Sequence, residues 1–135
     1  MDLTIKLVAD YANISQEGKL NLLGIFSTIF APGFPAVHPS MQLVLRFVAH
    51  PTESGTRKEL QIRLQDADGA QLGRVEISFK VPPKRGPEPI VMDHIITLSQ
   101  VMFPRPGDYS IEILVGEEHK GSIALKVQEL PSEAR

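Results

Sequence analysis

The residues of this chain best suited to metal binding or general base catalysis are its four histidines, His38, His50, His94 and His119. Zinc motifs usually place two such ligands a few residues apart, and no pair here has that spacing. We therefore interpret them as ordinary surface or loop histidines. An enzyme with a composite site that uses His38, His50 or Asp93 is the catalytic alternative, and no residue spacing supports it.

The segment from Asp66 to Gly69 resembles the start of a calcium-binding loop. Such a loop would also need an oxygen ligand at position 70 and a glutamate at position 77, where the sequence has Ala70 and Ile77. An Asp-Gly pair between two alternating segments is typical of a hairpin turn, in which these residues supply positive φ angles. The sequence therefore predicts a hairpin and no metal site here.

Nucleophile and phosphate-binding motifs are also missing from the sequence. The chain contains no cysteine, no Gly-x-Ser-x-Gly elbow and no glycine-rich phosphate loop. Asp93 and His94 form the only adjacent acid–imidazole pair, but neighbours in a strand point to opposite faces. We expect a protein that is not an enzyme and that carries no cofactor.

Composition and charge narrow the classes of partner. A net charge of −2, from 14 basic and 16 acidic residues, leaves no basic excess to hold phosphates, so nucleic acid is not expected. No apolar run approaches the ~18 residues of a membrane span. Lys6 and Asp10 interrupt the first apolar run, which argues against a signal peptide and favours a cytoplasmic protein. The length of 135 residues fits one domain, expected at 1–130, with a frayed tail at 131–135.

The elements that carry these residues are predicted to be strands, because apolar and polar residues alternate along most of the chain. Turn residues separate the alternating segments, and at most one helical turn is expected, within 35–41. Many short strands between Gly/Pro turns indicate an all-β protein, and we predict a two-sheet antiparallel β-sandwich. The eight expected strands lie near 3–13, 19–30, 41–49, 59–66, 71–81, 90–101, 108–116 and 121–128.

The segment from Phe103 to Tyr109 refines this prediction. A Pro-Gly-x-Tyr entry to an alternating strand is found in immunoglobulin-like sandwiches, where the tyrosine ring packs inward and its hydroxyl bonds nearby backbone. We therefore expect an immunoglobulin-like Greek key, with a jelly roll or a partly open barrel as alternatives.

The N-terminal third carries an unusual apolar segment at 20–30, which has apolar side chains on both faces and no charge. Such a strand needs cover on both sides, either from residues 31–40 of the same chain or from another subunit. We favour the loop as a plug, yet the function we predict is a non-enzymatic assembly or protein-binding module that forms a homo-oligomer. The residues expected at that interface are Leu23, Ile25, Ile29, Val44 and Val48.

Three loops offer an alternative function, a small-molecule or carbohydrate-binding sandwich with a site among 31–40, 82–89 and 103–108. The expected loop contacts are Phe34, His38, Lys84 and Arg85. Sugar sites usually stack their ligand on aromatic rings, and aromatic residues are only 6% of this chain, with no tryptophan, which weakens the alternative.

Four segments carry a resemblance to a known family. They are 9–13 (Ala-Asp-Tyr-Ala-Asn), 18–26 (Gly-Lys-Leu-Asn-Leu-Leu-Gly-Ile-Phe), 34–39 (Phe-Pro-Ala-Val-His-Pro) and 64–69 (Leu-Gln-Asp-Ala-Asp-Gly). Together they resemble a family of small bacterial proteins known only as a domain of unknown function, and the resemblance covers most of the chain. It implies no activity, no partner and no site residues.

Overall fold

The computed structural model describes residues 1–131 and consists of nine strands and one single-turn 3₁₀ helix, Pro51–Glu53. The strands are β1 Asp2–Ile14, β2 Leu20–Phe26, β3 Thr28–Ala31, β4 Ala36–Ala49, β5 Arg57–Asp66, β6 Gln71–Lys80, β7 Ile90–Phe103, β8 Gly107–Val115 and β9 Glu118–Glu129. The prediction of an all-β protein is confirmed. Beyond position 131, the expected frayed tail lies outside the described residues.

The strands form two sheets. The first has the order β2-β1-β4-β7 and the second has the order β3-β9-β8-β5-β6. Every neighbouring pair is antiparallel except β3 and β9, which run parallel. The expectation of purely antiparallel sheets is therefore wrong at this one pair.

The parallel pair arises because the strand predicted at 19–30 is two strands. The chain leaves the first sheet after Phe26 and joins the second at Thr28, and the backbone N–H of Lys126 donates to the carbonyl of Ser27 at the crossing. Phe26 packs against the core from one sheet, and Ile29 is buried in it from the other. This change of sheet is one reason why both faces of the segment are apolar in sequence.

Residues 31–40 do not cover the first sheet. The helical turn expected within 35–41 is wrong, because β4 begins at Ala36 and continues to Ala49. Leu23 and Ile25 on β2 are 68% and 60% exposed, so no segment of the described chain lies over them. The plug interpretation of this loop is therefore wrong.

Both sheets contribute to a single hydrophobic core. Most of the largest fully buried side chains come from alternate positions of β4 and β8, which lie near the middle of their sheets, and others come from β5, β7 and β9. Burial of a large aliphatic or aromatic side chain stabilises a fold by about 1.5–3 kcal/mol, so this core is the main source of stability. Its central members are Met41, Leu43, Leu45, Phe47, Leu60, Ile111 and Ile113.

The entry to β8 has the predicted tyrosine geometry. The Tyr109 ring is buried and packs edge-on against Phe103, with ring centroids 5.0 Å apart. Its hydroxyl donates to the backbone carbonyl of Arg105 at 2.6 Å. This hydrogen bond fixes the loop before β8 to the strand that follows it.

The hairpin between β5 and β6 is confirmed, with a different turn from the expected one. The Gly69 N–H donates to the Asp66 carbonyl at 3.0 Å, and the Asp66 N–H donates to the Ala70 carbonyl at 3.0 Å. In this turn only Gly69 has a positive φ, +84°, and Asp68 does not. The glycine therefore forms a bulge after the turn, as in three-residue hairpin loops.

Candidate functional site

The four histidines lie in four separate environments. His38 lies near the start of β4 against Phe26, whereas His50 follows the end of the same strand and caps the 3₁₀ helix. Twelve residues of extended chain separate them, about 40 Å. Across residues 1–131 there is no group of three or more His, Asp or Glu side chains that could hold a metal ion. The composite site of His38, His50 and Asp93 is therefore not assembled.

Asp93 and His94 point to opposite faces of the first sheet, as predicted. Asp93 accepts two hydrogen bonds from Arg46, at 2.7 and 3.1 Å, on the face away from the core. His94 lies opposite Leu45 on the core side, against the rings of Phe47 and Phe79. Burial lowers the pKa of His94, and the nearby Asp93 charge offsets this only in part.

One candidate site remains: the surface of the first sheet that points away from the core, which we call the outer face. It consists of the side chains of β1, β2, β4 and β7 that point away from the core. Cross-strand pairing places Tyr11 beside Leu23, and Ala9 beside Ile25. The outer face comprises Ile5, Leu7, Ala9, Tyr11, Asn13, Asn21, Leu23, Ile25, Gln42, Val44, Arg46, Val48, Val91, Asp93, Ile95 and Thr97.

The five predicted interface residues have different positions relative to the outer face. Leu23 and Ile25 are exposed on it, and Val48 is half-buried at one end of it. Val44 belongs to it but is fully buried, flanked across the strands by Leu7 and Ile95. Ile29 lies in the second sheet and is buried in the core. The expectation of an accessible surface is wrong for Val44 and Ile29.

Sequence reasoning missed two exposed hydrophobic residues of the outer face, Tyr11 and, at its far edge, Val91. They are 53% and 54% exposed. Tyr11 joins the exposed pair only through its register with Leu23, which depends on the tight connection between β1 and β2. An aromatic residue in an alternating strand was the available signal, but its face could not be assigned without that register.

The polar part of the outer face is neutralised. Arg46 and Asp93 form a bidentate ion pair, the stronger kind of charged hydrogen bond. The hydrogen bond to Asp93 raises the pKa of Arg46, so the guanidinium stays charged beside this carboxylate. Asn21 donates to Asn13 at 2.9 Å at the other end. The outer face therefore offers apolar contacts without a net charge, apart from Asp2 beside Val48 at its end.

The predicted loop contacts lie at opposite ends of the molecule. Phe34 and His38 are at the end where β4 starts, while Lys84 and Arg85 lie in the loop before β7, where β4 ends. Lys84 is bound there, since its backbone N–H donates to the Ser54 hydroxyl at 2.8 Å. One site that uses all three loops, 31–40, 82–89 and 103–108, is therefore not formed. A cavity of about 310 Å³ lies between residues 29–39 and Phe103.

A further charged cluster surrounds the 3₁₀ helix. The Glu53 carboxylate accepts from the backbone N–H of His50 at 2.8 Å and lies 3.1 Å from Lys58. Burial would raise the pKa of Glu53, but these donors outweigh it and lower the pKa to about 2. The cluster connects the end of β4 to the start of β5, and we assign it a role in the stability of the fold.

No helix of the described chain has the length and apolar character needed to cross a membrane.

Comparison with known proteins gives a family and no activity. The model of a family described as "Family of unknown function (DUF6941)" matches residues 4–128. A search of curated proteins finds no match. Among solved structures, the chain is similar to part of a glycosyl hydrolase family 2 member from Bacteroides cellulosilyticus DSM 14838, with a TM-score of 0.41 and 15% identity. That similarity covers 67% of this chain and 13% of the other, and it carries no argument about function.

Proposed function

This chain belongs to a family of unknown function, DUF6941, as its sequence motifs predicted, and we propose that it is a non-enzymatic assembly module. Its partner is a second copy of the same chain, bound through the outer face. The observation that carries the proposal is the exposure of three adjacent large side chains: Tyr11, Leu23 and Ile25 are 53%, 68% and 60% exposed. Contiguous apolar patches of this kind mark interaction sites on soluble proteins.

Charge favours a second copy over a charged partner. In an interface between identical faces each charge meets the same set of charges, so an unbalanced face repels itself. The outer face avoids this problem because Arg46 and Asp93 neutralise each other and its exposed residues on β2 are uncharged. By contrast, the edge strand of the other sheet, β6, carries three charged residues, Arg74, Glu76 and Lys80.

The outer face supplies most of the area of a usual dimer interface. Strands ~4.8 Å apart that rise ~3.3 Å per residue give its sixteen positions, one in every two residues, a face of roughly 500 Å². Stable interfaces bury about 800 Å² per partner. The remaining area has to come from the edge of β2 and from loops.

The free edge of β2 adds a second element to the same interface. Among the described strands β2 pairs only with β1, and Leu20–Phe26 has no charge and no proline to protect its open edge. Gly24, with φ +72°, bends the strand and limits how far a flat edge could extend. We assign the main contact to the face and a supporting contact to the edge.

For the fold we infer an immunoglobulin-like sandwich. The common core of the two sheets and the Tyr109 hydroxyl bound four residues upstream support this assignment. The small-molecule alternative is confined to the cavity at residues 29–39, where Phe30 is 56% exposed. We rank it second, because no polar side chain other than His38 lines that cavity.

Charge substitution on β2 tests the proposal. Leu23→Lys and Ile25→Lys should dissociate the assembly, because each places a like charge opposite its own copy across the interface. Sedimentation velocity should show a folded species of smaller mass, with an unchanged circular dichroism spectrum. Leu72→Lys on β6 is the matched control, since Leu72 is also an exposed strand leucine and lies away from the outer face. Equal masses for all four proteins, the unsubstituted one included, would reject the outer face as the interface.

A further inference from the structure

Strands β1 and β4 part halfway along their length. Their pairing ends at Ala9 and Gln42. Beyond that point, residues 10–14 of β1 run beside β2 alone, and residues 36–41 of β4 run beside β7 alone. Pro39 lies in this part of β4 and has no N–H to donate to a neighbouring strand. We call these two diverging segments, 10–14 and 36–41, the fork.

The fork leaves backbone hydrogen-bonding groups unpaired. Along an antiparallel strand, the N–H and C=O groups of successive residues point to opposite edges, so a strand with one neighbour keeps half of them free. Within the described chain, the backbone of the fork makes no hydrogen bond apart from the pairing with β2 and β7. An open edge of this kind can accept a further strand, whose main chain supplies affinity and whose alternate side chains supply specificity.

A second cavity of about 310 Å³ opens between the two strands of the fork. Asp10 lines it from β1 and His38 from β4, while Phe26 and residues 28–30 line the rest. The rings of Phe26 and His38 lie 5.8 Å apart, so aromatic surface forms part of the interior. The volume is at the lower end of the range of about 300–1,000 Å³ found for ligand sites, and it suits one long side chain.

Asp10 gives this cavity its charge. It is on the core side of β1, between the buried residues Val8 and Ala12. Its carboxylate is nevertheless exposed and has no hydrogen bond or ion pair within residues 1–131. On β2, a Cβ at Gly24 would lie 2.5 Å from that carboxylate, so only a glycine leaves the space in which it lies. The fork carries no other aspartate or glutamate and no lysine or arginine.

We propose that the fork binds an extended segment of a partner protein that carries one lysine or arginine. The segment would pair with the open edge of β1, and the stem of the basic side chain would pack on Phe26 and Ile29. Its cation would lie beside Asp10 at the mouth of the cavity, since long basic side chains bury their stems and keep their charge near water. An uncompensated carboxylate favours a basic partner, and unpaired backbone favours a strand over a small organic cation.

The test is a titration of ¹⁵N-labelled protein with a blocked heptapeptide in which threonine and valine alternate around a central arginine. Millimolar peptide should shift the amide signals of Asp10, Ala12 and His38. A glutamine in place of the arginine should weaken binding several-fold, and methylation of alternate peptide nitrogens should abolish it. Equal binding of the arginine and glutamine peptides would overturn the role of charge. Equal binding of the methylated peptide, or of agmatine alone, would overturn the strand pairing.

An isosteric substitution provides the second arm of the test. Asp10→Asn should weaken binding of the arginine peptide several-fold and leave binding of the glutamine peptide unchanged. Asp2→Asn is the matched control, at the other exposed aspartate of β1, which lies outside the fork. No shift with the arginine peptide, or an equal loss of binding in both variants, would overturn the site. Tyr11 of the outer face lies on the same strand, so light scattering should give Asp10→Asn the mass of the unsubstituted protein; a loss of binding that accompanies dissociation would also overturn the site.

Discussion

His94 is the residue whose chemistry is most constrained by its surroundings. Its ring lies 4.7 Å from that of Phe79 and 5.8 Å from that of Phe47, and its buried Nε2 has no hydrogen-bond partner within the described residues. Burial lowers its pKa from the ordinary 6.5, despite the charge of Asp93. A charged imidazolium at this position would lack a partner, so the native fold requires the neutral ring.

Protonation should therefore destabilise the fold in mild acid. The unfolded chain binds a proton near pH 6.5, whereas the folded chain binds it only at a lower pH. The free energy of unfolding should thus be constant above about pH 7 and should fall as the pH drops below 6.5. Urea denaturation at pH 7.5 and 5.5 measures this loss, which His94→Leu should reduce. The unsubstituted protein is the reference, and an equal loss in His94→Leu would contradict this account.

At the residue scale, sequence predicted exposure correctly for Leu23 and Ile25 but not for Val44 or Ile29. All four are aliphatic residues in alternating or apolar segments, and pattern alone cannot distinguish them. Val44 is buried because it lies in a central strand between two flanking side chains, and Ile29 because the chain has already changed sheets. Both facts depend on pairing partners far away in sequence.

At the scale of elements, Asp66 connects the β5–β6 hairpin to the loop before β8. Its buried carboxylate accepts hydrogen bonds from the backbone N–H groups of Asp68 at 3.0 Å and Ala70 at 2.9 Å. The same carboxylate pairs with the Arg105 guanidinium at 2.8 Å, and the backbone carbonyl of Arg105 accepts a hydrogen bond from the Tyr109 hydroxyl. The hydrogen bond from Ala70 is the main cause of the lowered pKa of Asp66.

Asp66→Ala should loosen this connection, because it leaves two backbone N–H groups and one guanidinium without their acceptor. We expect the melting temperature to fall by roughly 5 °C or more, measured by calorimetry. Asp68→Ala is the matched control, since Asp68 is 88% exposed and lies 3.9 Å from Arg105. If both variants lost the same amount of stability, the buried carboxylate would not be the connecting group.

Most elements of this fold could be predicted from the sequence, and the change of sheet could not. The sequence pattern located the eight expected strands, of which the one at 19–30 is two in the structure and the one at 41–49 begins at Ala36. The Asp-Gly and Pro-Gly-x-Tyr motifs located the hairpin and the entry to β8. Ser27, where the chain crosses, lies in a continuous apolar segment without a proline, and the nearest glycine is Gly24. Nothing local marks the crossing, because it is determined by the pairing of Thr28–Ala31 with β9.

At the scale of the whole molecule, two sheets enclose one core and leave the outer face of the first sheet uncovered. The described chain has no segment over Tyr11, Leu23 or Ile25, and the charges of that face are balanced in pairs except at its end. An apolar face of this size is stabilised by burial against an equivalent face. Self-association through that face is the central claim of this account.

The absolute mass of the unsubstituted protein in solution tests this claim most directly. Light scattering on a sizing column, at low and high salt, should give the mass of two or more whole chains of 14.9 kDa. Because the interface is apolar, the assembly should persist at about 1 M salt, where screening weakens ionic contacts. A mass of one chain at every concentration tested, or an assembly that dissociates in high salt, would contradict the claim.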